Sequence, residues 1–127
     1  FFAMIFVSIL AYILMPFLKK INKDLLWTSH AKAKMCYYGL SEARVKRVMH
    51  TPKRIEEGIA TGTIAMLQSA GSKKHPYEIW VMIAETKVKR RVISAWRYPG
   101  ITKPRSEIAL DFLRREFSDY MSADSEE

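Results

Sequence analysis

Five consecutive residues, Ile79-Trp80-Val81-Met82-Ile83, are apolar with no polar alternation between them. Successive side chains on a strand point to opposite faces, so a run of this kind requires cover on both. It predicts a central strand with further structure packed on each side. β-Branched and aromatic residues gather around it, and four strands are expected at about 54–60, 63–69, 77–85 and 88–97. The connections at Thr61-Gly62, at Gly71 to Pro76 and near Thr86 are short, which makes neighbouring strands antiparallel.

Upstream of Pro52 the apolar period is helical. Thr28 or Ser29 is placed to cap a short helix through about Tyr38, with Gly39 suited to the position after its end. Ser41 caps a second helix, Glu42 complements its dipole, Leu40 can staple onto Val45, and Val45, Val48 and Met49 form its apolar stripe. Thr51-Pro52 stops it. Beyond Ser106, the residues Leu110, Leu113, Phe117, Tyr120 and Met121 recur at helical spacing. The expected architecture is an α+β domain: two short N-terminal helices packed on a four-stranded antiparallel sheet, then a C-terminal helix.

Residues 1–18, from Phe1 to Leu18, carry no charge, and only Ser8 and Pro16 fall outside the hydrophobic set. As a helix they would extend about 27 Å, close to a hydrocarbon core of about 30 Å. Lys19, Lys20 and Lys23 follow, and the positive-inside rule then puts the remainder in the cytoplasm, anchored to the inner face of the membrane by one span. A buried core helix and a start site further downstream are the competing readings. The chain divides into this segment, a basic linker over 19–26, an α+β domain over 27–104 and an acidic helix and tail over 105–127.

Lys and Arg number 21 against 13 Asp and Glu, a net charge of +8. Residues 19–105 hold 19 of the basic and 6 of the acidic side chains, leaving the end of the chain acidic. A basic body attracts a polyanion, and nucleic acid and anionic lipid both qualify. The single cysteine, Cys36, closes no intrachain disulfide, and His30, His50 and His75 share no metal-binding spacing, so neither metal nor cofactor is expected. Glycine-rich phosphate loops and nucleophile elbows are absent from the sequence, which excludes nucleotide and serine hydrolases of those kinds.

The stretches His30-Ala31-Lys32-Ala33-Lys34-Met35, Gly39-Leu40-Ser41 and Thr51-Pro52-Lys53-Arg54 resemble the bacterial family known as domain of unknown function 4258, over about residues 27–98. Its pattern runs His-Ala-x-x-Arg-Met, a Gly-(Ile/Leu)-Ser helix start and an Asn-Pro-like stop. Lys34 stands where the family usually has arginine, exchanging a bidentate fork for a point charge. In outline that family is similar to RelE-like and BrnT-like toxins, many of which cut RNA. The resemblance implies an RNA-directed domain, a metal-independent endoribonuclease of toxin type among the expectations, with an antitoxin or other protein as partner.

Metal-free RNA cleavage needs an acid, a base and cations beside the phosphate. Imidazole as a side-chain type suits acid–base work near neutral pH, and His30 matches the motif histidine; helix capping or packing beneath Trp27 is its structural alternative. Arg97 and Tyr98 close the last strand, as Arg and Tyr often do late in the RelE-like sheet, and could clamp phosphate and stack on a base. Lys34 and Arg54 are expected phosphate contacts. Lys73, Lys74 and His75, with Lys87, Lys89, Arg90 and Arg91, rim the central strand at its two ends and form a candidate RNA footprint; charged strand ends also protect against edge pairing. Arg44, Arg47 and His50 read as a solvated helix face, and Tyr37, Tyr38 and Met35 as core. The alternative function is a non-catalytic module, cytoplasmic or held at the membrane, that binds nucleic acid, anionic lipid or a protein.

Overall fold

The computed structural model describes residues 24–58, 60 and 62–124. Residues 1–18 and the membrane span expected of them lie outside that set; no helix among the described residues is long and apolar enough to cross a membrane. In chain order the elements are β1 (Asp24–Trp27), α1 (Ser29–Tyr38), α2 (Glu42–His50), β2 (Arg54–Glu57), β3 (Thr63–Gly71), β4 (Pro76–Glu85), β5 (Lys89–Pro99) and α3 (Glu107–Asp124). The strands form one sheet in the order β1-β5-β4-β3-β2. From β2 to β5 the pairing is antiparallel, whereas β1 lies parallel to β5, from Asp24 opposite Lys89 to Trp27 opposite Val92.

The sheet is therefore five-stranded and mixed, which corrects the expectation of a four-stranded antiparallel sheet headed by two N-terminal helices. The first described element is a strand, made from residues that the sequence divided between a basic linker and the approach to a helix. Four residues are too few to show a period of two. Parallel pairing with so distant a segment also leaves no turn signal in the sequence.

Strand β4 is central, and Ile79 to Ile83 are buried on both faces. Ile79, Val81 and Ile83 pack with Met66 and Ala95 against Ala31 and Met35 of α1 and Val45 and Val48 of α2. On the other face Trp80 and Met82 pack with Leu67 and Trp96 against Ala109, Leu113 and Tyr120 of α3. At Met82 and Ile83 the pairing steps from Ser94 to Val92, leaving Ile93 as an extra residue on β5. This bulge reverses the alternation, so that Ile93 and Ser94 both serve the α3 side.

Helix α1 starts where β1 ends. The Thr28 hydroxyl accepts from the Ala31 amide and donates to the Val92 carbonyl at 2.9 Å, capping α1 and fixing it to β5 in one stroke. At the far end Gly39 takes the left-handed conformation (φ 66°), and the Leu40 amide donates back to the Met35 carbonyl. Ser41 then caps α2 by accepting from the Arg44 amide, with Leu40 and Val45 buried together beneath it. Because α1 is tied to Val92 at its start and to Arg97 at its end, it runs along β5 beyond the point where β1 stops.

Candidate functional site

Two polar clusters stand out, one at each end of α1. At the first, Glu116 of α3 is 2% exposed and collects three donors. Lys34 Nζ lies 2.8 Å from its Oε1, while the Ser94 hydroxyl donates to Oε2 at 2.7 Å and His30 Nε2 reaches the same oxygen at 3.1 Å. Burial pushes the Glu116 carboxyl up, but hydrogen bonds from Lys34, Ser94 and His30 outweigh it and hold the carboxyl below its ordinary value. Burial likewise disfavours the Lys34 ammonium, and the bond and charge of Glu116 more than offset it, so the Lys34 pKa is raised. Against an ionised carboxylate, which only accepts, His30 must carry its proton on Nε2. Ser94 and His30 both face the carboxylate rather than each other, so the set is not a nucleophile with its base. It is a polar staple joining α1, β5 and α3.

At the other end of α1, Arg97 of β5 donates through Nε to the Tyr38 carbonyl at 2.9 Å, and its Nη2 faces the Gly39 carbonyl at 3.5 Å. A cation there complements the helix C-terminus. Its guanidinium also lies over the Tyr77 ring, 5.1 Å from the centroid. Arg44 of α2 approaches from the β3 side, its Nη1 donating to Gln68 Oε1 at 2.6 Å. Gln68 is held in turn by donating to the Arg47 and Thr51 carbonyls. Burial lowers the pKa of Arg44, and the charges of Arg47 and Arg97 lower it further, with Tyr77 opposing. Among the described residues no carboxylate lies within ion-pair distance of Arg44, Arg47 or Arg97. Helix capping accounts for one guanidinium here; it does not account for three.

The β3–β4 hairpin brings Lys73, Lys74 and His75 to this same end. Gly71 (φ 80°) permits that approach: a Cβ on it would fall 2.3 Å from the His75 carbonyl oxygen and 2.8 Å from the Tyr77 ring. Lys87, Lys89, Arg90 and Arg91 lie at the opposite end of β4, ten residues and about 30 Å away. There Arg90 pairs with Glu85, and Arg91 donates to the Tyr120 hydroxyl at 2.9 Å.

The structure brings His30 and Lys34 together, on Glu116. It does not bring His30 to Arg97, since the α1 residues that each belongs to or binds are eight positions apart, about 12 Å of helix. Nor does it pair Arg97 with Tyr98, whose ring packs edge-on against Phe112 of α3 at 5.4 Å, on the other face of the sheet. Arg54 is engaged elsewhere: its guanidinium bonds Glu56 Oε1 and both the carbonyl and hydroxyl of Thr102, above the Trp80 ring. Glu56 also accepts from the Arg105 amide, and Glu78 Oε1 from the Thr102 amide and hydroxyl. That network pins the segment leading into α3. The second Glu56 oxygen is buried without a hydrogen-bond partner among the described residues.

Gln68, Tyr77 and the inward lean of Arg44 escape a reading by residue type. The signal for them is phase. Gln68 continues the face of Ile64 and Met66, and Tyr77 that of Ile79, so both stand in line with core residues near a strand end.

Comparison with protein-family models, with curated proteins and with solved structures finds no match to this chain.

Proposed function

We propose that the chain is an RNA-directed binding module whose phosphate contacts lie at the β3–β4 hairpin end, on Arg44 and Arg97 beside Tyr77. The observation that carries the reading is the cluster of guanidiniums with no carboxylate among the described residues at ion-pair distance, in a chain of net charge +8. Positive groups held close together at a cost to one another are relieved by an anion. Arg44 is fixed by Gln68 and Arg97 by helix carbonyls, so their forks are preset, which suits a discrete phosphate better than the diffuse charge of a lipid surface. Lys73, Lys74 and His75 extend the positive end along the path of a strand. A cleavage step forms no part of this reading, because His30 is occupied by Glu116 at the far end of α1, whereas acid, base and clamp must reach one linkage.

The test is RNA affinity of the full chain as a function of salt, beside Arg44→Gln and Arg97→Gln. For single strands each phosphate contact contributes about −0.7 to the slope of log K against log salt. Each variant is expected to weaken binding and to flatten the slope by about that amount. Unchanged affinity and slope in both variants would contradict the reading.

A further inference from the structure

Tyr37 is 80% exposed, the barest of the large apolar or aromatic side chains on the described surface. Its neighbour Tyr38 turns inward, packs against both cores and meets the Tyr37 ring edge-on, with centroids 4.8 Å apart and planes at 84°. At 80% exposure most of the Tyr37 ring stays accessible from solvent despite this contact. The Tyr38 carbonyl is also the group that binds Arg97. An exposed aromatic ring therefore stands one residue from the anchor of a guanidinium that no carboxylate among the described residues neutralises.

Phosphate-binding arginine beside an open ring is the arrangement by which proteins hold unpaired nucleotides, the cation taking the backbone and the ring taking a base. A duplex keeps its bases stacked within, and the deep major groove of A-form RNA admits no side chain to them. From this juxtaposition we infer that the RNA bound at this end is single-stranded and that one of its bases stacks on Tyr37. The inference rests on the RNA reading above and narrows its ligand. Stacking tolerates any base, so recognition is of unpaired structure and carries little sequence preference.

The experiment compares a labelled single-stranded RNA with the blunt duplex of the same length, for the full chain and for Tyr37→Ala, Tyr37→Phe and Arg44→Gln. Since Tyr37 is so exposed, its variants should unfold at the parent's midpoint, which is measured alongside. Tyr37→Ala is expected to lose about tenfold in affinity for the single strand. Its duplex affinity and salt slope should stay unchanged, and Tyr37→Phe should bind as the parent does. If Tyr37→Ala keeps full single-strand affinity while Arg44→Gln loses it, the stacking inference fails and the phosphate reading stands. If Arg44→Gln also binds normally, both fail.

Discussion

Replacing Glu116 with Gln keeps the shape of the side chain and removes the charge on which Lys34, His30 and Ser94 converge. Breaking a fully buried pair costs about 3–5 kcal/mol. Here the Lys34 side chain keeps 25% of its exposure and can recover water, whereas Ser94 is fully buried and cannot. A loss of about 2–3 kcal/mol follows, or a fall in Tm of about 8–14 °C for a domain of this size. Urea unfolding followed by the fluorescence of the stacked Trp80 and Trp96, whose centroids lie 5.7 Å apart, reads it directly. The pH dependence carries a second signature. Because the folded carboxyl sits below its ordinary value, its contribution is complete above about 4.5 and is lost as pH falls through the lowered value. The parent should therefore lose stability in acid along a steeper limb than Glu116→Gln. At the alkaline end the raised Lys34 pKa means that its contribution, complete below 10.5, fades as pH climbs past the lysine range. A variant within 0.5 kcal/mol of the parent, with the same acid limb, would refute the staple.

His30→Ala should lower stability and leave RNA affinity unchanged, with the bound RNA recovered intact on a denaturing gel; cleaved RNA would return His30 to the chemistry. Gly71→Ala meets both a left-handed backbone and the contacts with His75 and Tyr77. It should cost about 1–3 kcal/mol in urea unfolding and weaken RNA binding by displacing the Tyr77 ring. Lys87→Glu with Lys89→Glu alters the far end of the sheet, several Debye lengths from Tyr77 at physiological salt. Filter binding should find RNA affinity within about twofold of the parent, and a larger loss would move the interface to that end.

Much of the element pattern is legible because local chemistry decides it. Thr28, Gly39 and Ser41 act at the helix ends where their residue types place them, and the Ile79 to Ile83 run is central because nothing else accommodates it. Long-range events leave weaker traces. Strand β1 is four residues recruited by β5, with Thr28 and Val92 separated by 64 positions. The bulge at Ile93 hides inside an apolar stretch, yet it delivers Ser94 to Glu116. The candidate site shows the same divide. Arg97 was visible as a cation closing a strand, but the residues that complete its surroundings come from α2, β3 and β4. By residue type Glu116 is one more charge in an acidic stretch, and only packing shows that it holds His30 and Lys34. Tyr37 and Tyr38 are adjacent tyrosines of opposite fate, since a helix turns neighbouring positions by about 100° and only one of them can face the sheet.

An NMR titration of the full chain with single-stranded RNA, following the arginine Nε–H signals, reads the phosphate contacts residue by residue. Arg44 and Arg97 should shift together as RNA is added, while Arg54 and Arg90, held by Glu56 and Glu85, keep their positions. Movement confined to Arg90 and its neighbours, or none at Arg44 and Arg97 under conditions where RNA is bound, would contradict the RNA reading.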